Sequence, residues 1–87
     1  MKHAKPEDLV SISSLLEKVR SIEGIRERTP AHFYFRGVNV LHFHTDRDEI
    51  YCDVGTERLK AQSDSFEIII SSVMELIKNI KETKVGT

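Results

Sequence analysis

The chain has 87 residues, with 13 Lys+Arg against 14 Asp+Glu and a formal net charge of −1. That length holds one small domain, and that charge argues against a protein whose main task is gripping a nucleic acid, which needs an excess of cations to neutralise phosphates. The 39% of hydrophobic residues excludes global disorder, and the lone cysteine, Cys52, excludes an internal disulfide framework.

In chain order, the opening MKHAKPED lacks the apolar core of a signal peptide. No apolar run reaches the ~18 residues of a membrane span. These features predict a cytoplasmic protein with no membrane association. The expected organisation is a single domain over 1–87 with an ordered core of about 6–83, Met1–Lys5 and Lys84–Thr87 being frayed ends.

Pro6, Glu7 and Asp8 suit the first turn of a helix, where a missing N–H costs nothing and acidic groups meet the positive dipole end. Leu9, Ile12, Leu15, Leu16, Val19 and Ile22 then recur at three- and four-residue spacing. The period predicts an amphipathic helix of about four turns, stopped at Gly24.

From Ala31 the period changes to two. Phe33, Phe35, Leu41, Phe43, Ile50, Cys52 and Val54 fall on one face of an antiparallel meander. Arg36-Gly37 is the first tight turn, because Gly37 accepts a positive φ. Thr45-Asp46-Arg47-Asp48 reads as a four-residue loop that would pair His44 with Glu49, Phe43 with Ile50 and His42 with Tyr51. Glu57–Gln62 alternates again, with Leu59 and Ala61 inward, as a short fourth strand.

Ser63-Asp64-Ser65 offers helix caps, with Asp64 and Glu67 as a capping box. Phe66, Ile69, Ile70, Val73, Leu76, Ile77 and Ile80 trace one helical stripe. Ile68 and Met74 lie off it. The expected fold is α+β, with a three- to four-stranded antiparallel meander and its N- and C-terminal helices packed on one face.

The opposite sheet face carries the chemistry. By parity it holds His32, Tyr34, Arg36, Val38, Val40, His42 and His44, then Glu49, Tyr51 and Asp53. Tyr34, Arg36, Val40 and Tyr51 form a half-apolar patch of a kind that is usually covered. The first expected cover is a second copy of the chain, which makes the leading function that of a non-enzymatic binding and self-association module, a dimer in the simplest case.

The alternative function is a divalent-metal or small-ligand site on the same face. His42 and His44, two apart on a strand, point the same way about 6.5–7 Å apart at the backbone. Two imidazoles at that spacing converge on one ion if a third ligand arrives, and Asp53, Glu49 or His32 supplies it. Zinc accepts such a set. Cys52 has the wrong parity and reads as an inert core residue. The bland alternative is cross-strand stacking and ion pairing of the same groups. Stacking of nucleic-acid bases on Tyr34 and Tyr51 is opposed by Asp46, Asp48, Glu49 and Asp53, which make this segment acidic.

Val40-Leu41-His42-Phe43-His44, the acidic turn and Ile50-Tyr51-Cys52-Asp53-Val54 together resemble a group of short prokaryotic proteins that read F-L-H-F-H and end the next strand in A-D-V. Some of these carry a luciferase-like domain label. Ile22 to Pro30 is also similar to the opening of MmcQ/YjbR-type domains, whose shape is α-β-sheet-α. The turn here lacks the group's glycine, and Cys52 stands where a small residue is usual. The resemblance implies that the His42/His44 strand and Asp53 are group features, and it implies no catalytic residue.

Overall fold

Leu9, Ile12, Leu15, Leu16 and Val19 are all buried, as their spacing requires, but they lie on two kinds of helix. Pro6–Ile12 is 3₁₀ and Ser13–Arg20 (α1) is α-helical. The join falls in Val10-Ser11-Ile12-Ser13-Ser14, where β-branched and serine side chains weaken the α-helix. The computed structural model describes residues 2–3 and 6–82, with side chains from Leu9 onward. Met1, Ala4, Lys5 and the expected frayed end at Lys84–Thr87 lie outside the described residues.

Among the described residues the sheet has six strands: β1 (Lys2–His3), β2 (Ile25–Glu27), β3 (His32–Phe35), β4 (Val38–Asp46), β5 (Glu49–Val54) and β6 (Glu57–Lys60). Their order is β2-β3-β4-β5-β6, all antiparallel, with β1 pairing beside the far end of β4. The α+β class and the meander follow the periodicity. The strand count exceeds the expected three to four, because β1 and β2 are too short to show a period. Lys2 and His3 are therefore not a frayed tail in their backbone, since they pair with Thr45 and His44.

Two backbone details decide what the sheet presents. The first is the β4–β5 turn. Arg47 and Asp48 take φ of 54° and 68° and close a two-residue turn of the mirror-image kind that matches strand twist. The expected four-residue loop is thus wrong by one pair on each side. His42 faces Asp53, Phe43 faces Cys52 and His44 faces Tyr51. Sliding by two positions keeps every side chain on its face, so hydrophobic parity could not distinguish the registers.

The second is a bulge. The β3–β4 pairing slips between Phe33 and Tyr34, which face Leu41 and Asn39, so Val40 has no partner. The extra residue reverses parity on the N-terminal side of β4. Val40 leaves the outer face and is fully buried in the core, and Val38 turns toward α2 beside Leu76 and Ile80. Asn39 takes their place on the outer face.

α2 (Phe66–Glu82) lays Phe66, Ile69, Val73 and Ile77 against Phe33, Leu41, Phe43 and Cys52 in one core. Its entry is a 3₁₀ turn, Ser63–Ser65, where the Gln62 N–H donates to Ser65 Oγ (3.1 Å) and that hydroxyl lies 2.6 Å from the Lys60 carbonyl. This cap replaces the expected Asp64–Glu67 box. Cys52 is buried as expected, and burial pushes its thiol up to about 12. No helix among the described residues is long and apolar enough to cross a membrane.

Candidate metal centre

The two-residue turn sets Asp53 directly across from His42, and parity sets His44 on the same face one pair along. Asp53 Oδ2 lies 3.2 Å from His42 Nε2, and Asp53 Oδ1 lies 3.4 Å from His44 Nε2. The ligand atoms of the three residues all fall within 4.8 Å of one another. Metal–nitrogen and metal–oxygen bonds of 2.0–2.1 Å in a tetrahedron span edges of about 3.3 Å. Each ring nitrogen lies about that far from a different oxygen of the carboxylate.

His44 is the unusual member. It is 7% exposed, the one buried polar or charged residue among those described. Its Nε2 makes no well-formed hydrogen bond among the described residues, and its nearest approach to Asp53 is a long 3.4 Å contact to Oδ1. Leaving such an atom unsatisfied costs about 1–3 kcal/mol. Burial pushes its pKa below the ordinary histidine value, more than the Asp53 charge pulls it up. The ring is thus held in the neutral form that ligates metals.

The bulge gives His42 its orientation. Residues 39 and 42 would lie on opposite faces of a regular strand, but the extra residue at Val40 puts both outward. His42 Nδ1 donates to Asn39 Oδ1 at 3.0 Å. A neutral ring protonated there carries its lone pair on Nε2, which faces the Asp53 carboxylate at 3.2 Å. Two acceptors that close require a cation between them, either a proton or a metal ion. Metal-bound histidines commonly hold their second ring nitrogen in this way. His32 stacks on the far side of His42, with ring centroids 5.7 Å apart and planes 4° from parallel. Its own Nδ1 donates to the Pro30 carbonyl at 3.1 Å.

Asp53 is held from the opposite side. Arg58, its partner on β6, places Nε 2.8 Å from Oδ1 and Nη2 3.2 Å from Oδ2. This fork holds the carboxyl below its usual range, ahead of the opposing effect of burial. The carboxylate is therefore ionised, oriented, and clasped between a guanidinium and two imidazoles.

Of the expected metal ligands, His42, His44 and Asp53 come together and Glu49 does not. Glu49 is ion-paired with Lys60 and sits four residues from Asp53, about 13 Å along the strand. Among the expected interface residues, Tyr34 and Tyr51 do lie on the outer face, half-buried, with Tyr34 opposite Asn39 and Tyr51 opposite His44 and Lys60. Arg28 lies over the Tyr34 ring at 5.1 Å. Arg36 is instead in the β3–β4 turn at φ 53°, against Phe35. Val40 is in the core, so the apolar part of the outer patch is reduced to the two tyrosines. Asn39 was not legible as a site residue, because its face depends on the bulge.

A surface groove lies elsewhere, between the Gly55–Thr56 turn and α2, and is lined by Glu57, Glu67, Ile68 and Ser71 among others. It is open and contains no histidine, so the chemistry stays with the sheet face. No family model, curated protein or solved structure matches the chain.

Proposed function

We propose that this domain binds a first-row divalent cation, with zinc the type ion, through His42 Nε2, His44 Nε2 and an oxygen of Asp53. The observation that carries this reading is the buried, unsatisfied Nε2 of His44, aimed at an ionised carboxylate that a second imidazole also faces. A cation between them satisfies all three groups at once. The function is one of binding rather than catalysis.

Thermal melting with and without zinc tests it. At a free ion concentration 100 times Kd the native state gains about 2.7 kcal/mol by mass action. For a domain of this size that raises Tm by roughly 10–20 °C. The shift should vanish in H42A and in D53N. A wild-type Tm that zinc leaves unchanged rejects the proposal.

A second reading, self-association, draws support from α2 rather than from the sheet face. Ile68 and Met74 are 57% and 47% exposed there. Sedimentation of the wild type and of I68E/M74E tests it, and a monomer at high micromolar concentration rejects it.

A further inference from the structure

We propose that His3 is a fourth protein ligand of the cation held by His42, His44 and Asp53, so that binding the ion also fixes the N-terminal strand on the sheet. The inference rests on the cation-binding reading above. It adds a ligand which that reading lacks, and it couples the site to the first residues of the chain.

The chain has four histidines, and all four fall in one block of the sheet. His32 on β3 faces His42 on β4, and His3 on β1 faces His44, two residues further along β4. Residues directly opposite one another in an antiparallel pair share a face and are neighbours on it. Backbone register alone therefore places His3 on the outer face, at the position next to His44. Asp53 borders the same block from β5, opposite His42. Three strands thus bring four histidines and a carboxylate to one patch of a chain whose sequence scatters them over fifty residues.

Three protein ligands leave a tetrahedral ion one short of a closed protein site. From Leu9 to Glu82, no other His, Cys, Asp or Glu joins the three within 4.8 Å. His32 comes nearest in register, but its ring is stacked on that of His42 with planes 4° from parallel. An imidazole ligates in its own plane, and two stacked parallel rings cannot both hold one ion in that way. Tyr51, the other neighbour of His44, is not among the usual ligand types of cysteine, histidine and carboxylate. His3 is of the right type, and it is the register partner of His44, the most deeply buried of the three ligands. The strand itself has a use for the ion. β1 is two residues long and pairs with β4 alone among the described strands, so its ladder gives it little hold. A ligand at His3 adds a second attachment. By linkage the docked strand then raises affinity for the ion as much as the ion favours docking of the strand.

Zinc is the probe, titrated into the full, untagged chain in competition with a chromophoric chelator. H3A should bind it at least about tenfold more weakly than wild type, because losing even an outer-shell partner of a metal costs roughly 10–100-fold. K2A changes the adjacent residue of β1, which belongs to the other face, and should stay within about threefold of wild type. Hydrogen exchange reads the coupling from the side of the strand. With zinc saturating for each protein, the amides of Lys2 and His3 should exchange more slowly than in chelator in the wild type, and at an unchanged rate in H3A. The two proteins should melt alike in chelator, and a lower Tm for H3A there would make His3 a structural residue and overturn the inference. Zinc bound equally well by H3A and wild type, or β1 amides indifferent to zinc, also overturns it and leaves the three-ligand site standing. An equal loss in K2A and H3A assigns the effect to the strand rather than to a ligand and overturns it as well. A wild type that binds no zinc removes the cation site and the inference together.

Discussion

His44→Leu should make the cation-free protein more stable while removing its response to cations. The ring is 7% exposed, and its Nε2 makes no well-formed hydrogen bond among the described residues. Leucine is close in volume and leaves no polar atom behind. The substitution recovers the cost of the unsatisfied nitrogen, about 1–3 kcal/mol. It gives up the 3.4 Å approach to Asp53, which is too long to offset that cost. A net gain of about 1–2 kcal/mol remains. Urea unfolding in the presence of a chelator measures it. With a slope near ~1 kcal/mol/M, as small domains show, the midpoint rises by roughly 1–2 M. Zinc should then raise the wild-type midpoint and leave that of H44L where it is. If H44L is destabilised by more than ~1 kcal/mol in chelator, His44 is a satisfied core histidine. The tension that calls for a cation is then absent.

Three further outcomes follow from the same contacts. Glu27 accepts from Arg20 Nε (2.7 Å) and from the Ala31 N–H (2.9 Å), and the Arg20 contact is the main reason its carboxyl titrates below the ordinary value. Its folded pKa lies below the unfolded one, so its contribution is complete above about pH 4.3 and fades as pH falls through the depressed value; wild type should exceed E27Q by about 1 kcal/mol at neutral pH and converge with it in acid. Gly24 sits at φ 89°, where an added Cβ would lie 2.7 Å from Phe35 Cε1, so G24A should lose about 1–3 kcal/mol in chemical denaturation. The Cys52 thiol, buried and pushed up to about 12, should ignore a disulfide reagent in the native protein at pH 8 and react at once in denaturant.

Periodicity was enough to place the layers. Phe33, Phe43, Leu15 and Ile69 meet in the core because spacing alone puts each on a buried face. His42, His44 and Asp53 were likewise legible as sharing one side of the sheet. Their convergence was not, because it depends on which residues face one another across β4 and β5. Arg47-Asp48 closes a turn that usually favours Asn-Gly, and nothing in the alternation of Phe43, Ile50 and Cys52 separates a two-residue turn from a four-residue loop. The bulge was hidden for a similar reason. Val38-Asn39-Val40-Leu41 reads as continuous strand, and only the structure shows that Val40 faces inward while Asn39 stands beside His42. The two backbone irregularities that sequence parity could not register are the two that assemble the cation site. β2 escaped notice because three residues between Gly24 and Thr29-Pro30 are too few to establish a period.

Diffraction from crystals soaked in zinc, with data collected on both sides of the zinc absorption edge, addresses the cation site most directly. The account predicts one strong anomalous peak on the outer sheet face, 2.0–2.2 Å from His42 Nε2, His44 Nε2 and an Asp53 oxygen. No peak there, or zinc bound only at other surface groups, contradicts it.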